Sequence, residues 1–337
     1  MVWAIVITIS MCACQSSTID IDTYDRIILP PDAGTTCPVC TEDPDLALEF
    51  FGNGTADFVV PLATTTVLAA DLTVRNLIFQ DGGGGPSIID PNGFVIRVAG
   101  TTIVPGLDIH GNPQAFIARD GKPANFTSGG PGIPASGTIG GASGAGGLGQ
   151  TGNGSGGGAP DLWPSSFHPG AGGTGGAGFT TTGGAGGIGS LIPESSGSLD
   201  IFAALRMRIQ TGSAPLGGGA GGGGGGGDNG SGTDFSIGGG GGGGAGNIVF
   251  ISRQIDNASN LVISSRGGAG GSAIFFGAAG AAGGGGGGGG GDVTVLVYRK
   301  PFPVIRVSGG NGGAGFGGGA AGATGSSGTA IPFSFVL

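Results

Sequence analysis

Charged side chains make up only 10% of this chain and aromatic ones 7%. Disordered chains are rich in charge and poor in β-branched residues. Here charge is scarce, mean hydropathy is +0.28, and Val, Ile and Phe arrive in clusters. Twelve Lys and Arg stand against 21 Asp and Glu, for a formal net charge of −9 and a pI near 4.4. The basic residues are scattered singly apart from Arg206/Arg208 and Arg299/Lys300. No basic face is therefore on offer to release counterions from a nucleic acid. Zinc needs four ligands, and the only histidines, His110 and His168, lie far in sequence from the Cys37/Cys40 pair. Past residue 50 the acids run from Asp57 to Asp292 without a close pair in sequence, whereas sugar hydrolysis needs two carboxylates brought together. Gly121-Lys122 is followed by Pro123 and lacks the upstream glycine of a phosphate-binding loop. The sequence reads as a non-enzyme without a cofactor.

What is present is glycine, 86 residues in 337. Collagen is excluded, because it needs glycine at every third position with abundant proline, and nine consecutive glycines at 283–291 break that frame. Those nine lead directly into DVTVLVYRKP, an alternating apolar strand. A polyproline-II-like backbone has three residues per turn and no internal hydrogen bonds. Without side chains, several such backbones can approach closely enough to satisfy one another's amides and carbonyls. Ordering nine residues costs roughly 9–18 kcal/mol, while each hydrogen bond returns a net ~1 kcal/mol. A lone run stays disordered, and order requires several runs and flanking strands to share the cost. Nine residues at ~3.1 Å each would span about 28 Å. The competing reading is a small β core hung with flexible glycine tethers.

Along the chain, residues 1–14 read as an export leader or lipoprotein signal. The apolar stretch from Val2 to Ser10 is short of a bilayer span, and Met11-Cys12-Ala13-Cys14 resembles a bacterial lipobox that would lipidate Cys14. Residues 15–45, polar and acidic, read as a linker or stalk. Cys37 and Cys40 in CPVC admit a zinc half-site, a redox pair or a small disulfide loop, with the disulfide preferred for an exported chain. Residues 46–127 form an N-terminal β module, in which Asp90-Pro91-Asn92-Gly93 is a turn between apolar runs. Residues 128–245 form a glycine-rich packed region. It is interrupted by a proline-bounded loop at 160–170 and a short helix at 198–211, the only good helix candidate. Residues 246–337 form a module of β repeats and glycine runs.

A plan recurs at 93–112, 246–271 and 291–315: strand, short connection, second strand, then a glycine- or asparagine-bearing return. TAIPFSFVL adds a last strand. Such spacing points to rungs that stack because none buries its apolar face alone. The expected fold is all-β, a β-solenoid or sandwich combined with packed polyglycine-II helices and little α-helix. Trp163, Phe167 and His168 on the 160–170 loop are the candidate ligand contacts, as exposed aromatics are common binding anchors. An aromatic plug packed on the glycine region is the structural alternative. Asn53, Asn125, Asn153, Asn229 and Asn257 lie in N-x-S/T triplets, which matter only in a eukaryotic secretory pathway.

The cassette DLTVRNLIFQ…SIIDPNGFVIRVAGTTIV, followed by repeated glycine-run and strand units, resembles glycine-rich surface and fibre proteins of phages, viruses and some bacteria. In composition the chain is also similar to the adhesins at the tail-fibre tips of T-even-type phages, where a sandwich of glycine helices displays variable loops. The resemblance covers about 47–337 and implies an extracellular or surface-exposed structural protein for attachment or host recognition. Its partners would be a cell-surface glycan or receptor and other copies of itself, with no nucleic acid. Membrane association would come only through a lipid at Cys14. The alternatives are a self-assembling filament subunit and a flexible glycine-rich matrix protein. Cytosolically assembled phage fibres need no leader, so a functional leader favours a bacterial surface lipoprotein or an exported filament.

Overall fold

The computed structural model describes residues 6–9, 17–20, 44–132 except 83, 145–158, 172–187 except 179, 219–227, and 235–334 except 277–279 and 299. They are mostly β with little helix, and the two large sheets are parallel throughout. In chain order the elements are β1 (Val6–Ile9), β2 (Ser17–Asp20), α1 (Pro44–Phe51), β3 (Phe58–Val60), β4 (Thr65–Val67), β5 (Leu72–Val74), β6 (Leu77–Phe79), β7 (Ser87–Asp90), β8 (Val95–Ile103) and β9 (Ala115–Ala118). Then come β10 (Phe235–Ile237), β11 (Ile248–Asp256), β12 (Leu261–Ser264), β13 (Ile274–Phe276), β14 (Val293–Val297), β15 (Val304–Arg306) and β16 (Ala330–Ser334). Two small antiparallel pairs, β1 with β2 and β10 with β13, stand apart from the large sheets.

One large sheet runs β16-β14-β11-β8-β6-β3, with β5 also on β8, and the other runs β15-β12-β9-β7-β4. Parallel neighbours cannot be joined by a hairpin. Leaving aside the β10–β13 pair, strands of the two large sheets alternate along the chain except at β5 and β6, which both belong to the first, so the chain adds to both in turn. Side chains facing between the sheets stack in register. Ile89, Ile117, Ile263 and Ile305 form one column, and Leu72, Ile96, Phe250 and Val295 form another. Ile89, Ile96, Ile117, Phe250, Ile263 and Val295 are fully buried. At ~1.5–3 kcal/mol for each large apolar side chain removed from water, these columns supply the driving force for the coil. Strands of 46–127 and of 246–337 share both sheets through the β8–β11 and β9–β12 pairings.

Four local features differ from the sequence reading or extend it. Helix α1 falls at the end of the expected linker. Pro44 occupies its first turn, where a missing N–H costs nothing, and Gly52 at φ 74 ends it. Its Ala47, Phe50 and Phe51 are buried and α1 lies against β8 and β11. In 93–112 the expected pair of strands is one long strand, β8. The kink is a bulge, since Val98 and Thr101 pair with Ser252 and Gln254 and leave an extra residue on β8. Gly100 sits at that bulge, where a Cβ would come 2.8 Å from the Arg75 carbonyl oxygen. The second strand of the rung, β9, follows the turn instead of preceding it. The turn at 90–93 forms as expected, with Asn92 and Gly93 at positive φ.

The glycine segments pack beside the coil. Runs 219–227, 238–246 and 283–291 are buried at every residue. Their hydrogen bonds repeat every three residues. Gly238 and Gly241 donate to Gln150 and Gly147; Gly239, Gly242 and Ala245 donate to Gly283, Gly286 and Gly289. Gly240, Gly243 and Gly246 donate to Phe126, Lys122 and Arg119, and all eight N···O distances lie between 2.7 and 3.1 Å. Run 283–291 does likewise toward 220–226, 320–326 and 265–271. Around these buried runs several outer segments carry a side chain at every third, exposed position, as in TGGA (174–177 and 182–185), RGGAGGS (266–272) and SGGNGGA (308–314).

Arg119 fills the seam between the coil and the glycine layer. Its side chain is completely buried, with Nε 3.3 Å from Asp90 Oδ1. A Cβ at Gly246 would meet its guanidinium at 2.8 Å. Burial pushes the Arg119 pKa down, and the Asp90 charge opposes that shift.

Candidate functional site at the outer end of the glycine layer

Runs 238–246 and 283–291 enter β11 and β14 at one end, which fixes the other end of the layer as the one remote from the sheets. At that outer end the chain turns repeatedly, at 125–128, 151–153 and 316–319, and the β10–β13 pair lies there as well. Gly240 bonds to Phe126, Gly238 to Gln150, Gly227 to Gly152 and Ala282 to Phe316, placing these turns together as caps on the buried runs.

Three phenylalanines stand exposed on these caps. Phe126 is 68% exposed, Phe275 44% and Phe316 39%. Phe275 and Phe316 are stacked, with centroids 4.0 Å apart and planes 5° from parallel. The Asn125–Ser128 turn closes by bonds in both directions, of 3.1 and 2.9 Å, and holds Phe126 at φ 51. Glycine or asparagine adopts that backbone freely, whereas a bulky L residue is strained there by about 1–2 kcal/mol. Phe126 gains no burial in exchange. Strain and apolar exposure at one residue have no explanation in the stability of the fold, and such residues concentrate at functional sites.

The carboxylates are engaged elsewhere. Asp57 accepts from Arg75 Nε and Nη2 at 2.9 and 3.0 Å, and the Arg75 bond holds its carboxyl below the usual carboxylate range. Asp120 accepts from the Ser264 hydroxyl, the Arg266 amide and Arg266 Nη2. Asp292 Oδ1 accepts the Thr329 amide, while its own amide donates to Asn247. Asp108 accepts the Asn112 amide at 2.7 Å and the His110 amide at 2.8 Å. The Asn112 backbone and side-chain bonds hold its carboxyl low. These residues hold loops and strand ends in place. Among the described residues no three His, Cys, Asp or Glu side chains come together to hold a metal ion, and no helix is long and apolar enough to cross a membrane.

Trp163, Phe167, His168, Cys14, Cys37, Cys40 and the 198–211 segment all lie outside the described residues. The described residues flanking the 160–170 loop, Gly158 and Gly172, are at the sheet-proximal end of the layer. Gly158 accepts from Gly221, while Gly219 donates to Ala245 beside β11, and Gly173 donates to Gly287 near β14. Phe126, Phe275 and Phe316 were not singled out from sequence. For Phe126 and Phe316 the signal was present in PANFTSGG and GAGFGGG, where phenylalanine sits among small residues with no apolar run to bury it.

Comparison with family models, with curated proteins and with solved structures returned no match for this chain.

Proposed function

We propose that this chain is a non-enzymatic attachment protein displayed on an exterior surface. In this reading the coil of parallel strands is a β-solenoid that serves as a rigid mount. The glycine runs are polyglycine-II helices, and their outer end makes contact with a cell surface. The three-residue hydrogen-bond period supports the helical reading, as does the absence of positive φ from the three buried runs. The observation that carries the functional reading is the exposed aromatic cap, with Phe126 held in a strained turn and Phe275 stacked on Phe316. Rigid aromatics on a preorganised support lose little entropy on binding and dominate recognition energetics. A flexible matrix protein is disfavoured, because its glycines would not be buried and bonded on every side. Lipidation at Cys14 would tether the unit to a membrane.

The test is binding of the labelled full chain to a panel of intact bacterial and eukaryotic cells and to immobilised glycans, in parallel with a Phe126→Ala/Phe275→Ala/Phe316→Ala variant. Parent binding that falls roughly tenfold or more in the variant, at unchanged melting temperature, is the expected result. No binding by the parent to any target, or equal binding by the variant, would overturn the reading.

A further inference from the structure

Glycine segments pack because bare amides and carbonyls reach each other, and nothing in that chemistry stops at the boundary of one molecule. Two independent features of this chain do stop it. The first is the outer rows. At interior positions a Cβ would collide with neighbouring backbone, as at Gly239, where it would lie 2.5 Å from the Gly271 carbonyl carbon. The outer segments place real Cβ atoms at the repeating outward position. Thr174, Ala177, Thr182 and Ala185 are all exposed, and glycines beside them bond inward to the buried runs, Gly176 to Gly284, Gly184 to Gly224 and Gly187 to Gly221. A second glycine layer approaching this face meets those Cβ atoms before its carbonyls reach the outward amides.

The second feature is the last strand. Val293 pairs with Ala330 and donates to the Thr329 carbonyl, which fixes the parity of the ladder. Ile331 and Phe333 turn their N–H groups toward β14, and positions 330, 332 and 334 turn theirs toward the open edge. Position 332 is proline and has no N–H to give. Open edges otherwise template strand addition, and proline at the outward position blunts them. We propose that these two devices keep the coil and glycine layer a solitary unit, closed to further copies along the Thr174, Ala177, Thr182 and Ala185 row by Cβ atoms and at the β16 edge by Pro332. This inference does not depend on the attachment reading.

Sedimentation velocity of the full chain across a wide concentration range provides the test. The parent is compared with a bare-row variant (Thr174→Gly, Ala177→Gly, Thr182→Gly, Ala185→Gly), a Cβ-retaining control (Thr174→Ala, Thr182→Ala) and Pro332→Val. The parent and the control are expected to sediment as single chains. The bare-row variant should self-associate laterally, roughly tenfold or more tightly than the parent, the worth of one or two net hydrogen bonds. Pro332→Val should add end-on association. If the bare-row variant fails to fold, Pro332→Val decides alone. Association of the parent through these faces, or folded variants that stay single, would overturn the proposal.

Discussion

A single methyl group placed inside the glycine layer should cost more than most core truncations. At Gly242 an added Cβ would lie on the Gly268 carbonyl, 2.6 Å from its carbon and 2.9 Å from that of Ala269. Ordinary contact begins at 3.4 Å, so the Gly268 backbone must retreat by at least 0.8 Å, the difference of 3.4 and 2.6. That residue donates to Gly243 at 2.8 Å and accepts from Gly288 at 2.9 Å, and both bonds lie between buried segments with no water to replace them. Losing them forfeits ~1 kcal/mol each and strands polar groups at ~1–3 kcal/mol apiece. Gly242→Ala is therefore expected to destabilise the protein by about 3–5 kcal/mol, a large part of a total near 5–15. Gly156→Ala is the matched control. Its Cβ meets only the Ala185 carbonyl oxygen at 3.6 Å, and lost freedom in the unfolded chain should stabilise it by ~0.4–1 kcal/mol. Urea unfolding of both variants measures the contrast. Equal stability of the two would refute the packed-glycine account.

Ile263→Ala removes a fully buried side chain from the middle of the isoleucine column and is expected to lower stability by about 3 kcal/mol in the same assay. Asp90→Ala leaves the buried Arg119 with one fewer compensating charge, and a loss of about 3 kcal/mol or less is expected, since Asp90 itself is partly exposed. The Asp108 carboxyl, held low by the Asn112 and His110 amides, should fix its loop at neutral pH. Because the folded pKa is depressed, that contribution is complete above the unfolded value near 3.9 and disappears as pH falls through the lower folded value. Amide shifts of His110 and Asn112 should report a midpoint below that value. A midpoint at or above it would contradict the hydrogen bonding assigned there.

Much of the coil was legible because its signals are local. The turn at 90–93 carries Asn-Gly, strands β11, β12 and β14 alternate or run apolar between glycine stops, and the last strand is plain in TAIPFSFVL. What escaped depends on partners far away in sequence. The bulge in β8 is set by β11, some 150 residues on, so AGTT looked like a break. Helix α1 had its signals, with proline first, acids next and Gly52 last, yet its surroundings read as an acidic linker. It packs against β8 and β11, which no local pattern announces. Within the glycine region, bare runs are interior and Gly-Gly-X segments are exterior. That rule was readable in RGGAGGS and SGGNGGA once a three-residue period was sought. The aromatic end is assembled from the turns at 126 and 316 and from strand β13, so only the packing of the runs could bring them together.

Amide hydrogen exchange over 219–227, 238–246 and 283–291, on the native full chain, tests the central claim most directly. Every amide in these runs should be protected to a degree close to that of strands β11 and β14, with exchange governed by global unfolding. Exchange within seconds in the glycine runs, while the strands stay protected, would mean tethers around a small β core and would contradict the packed layer.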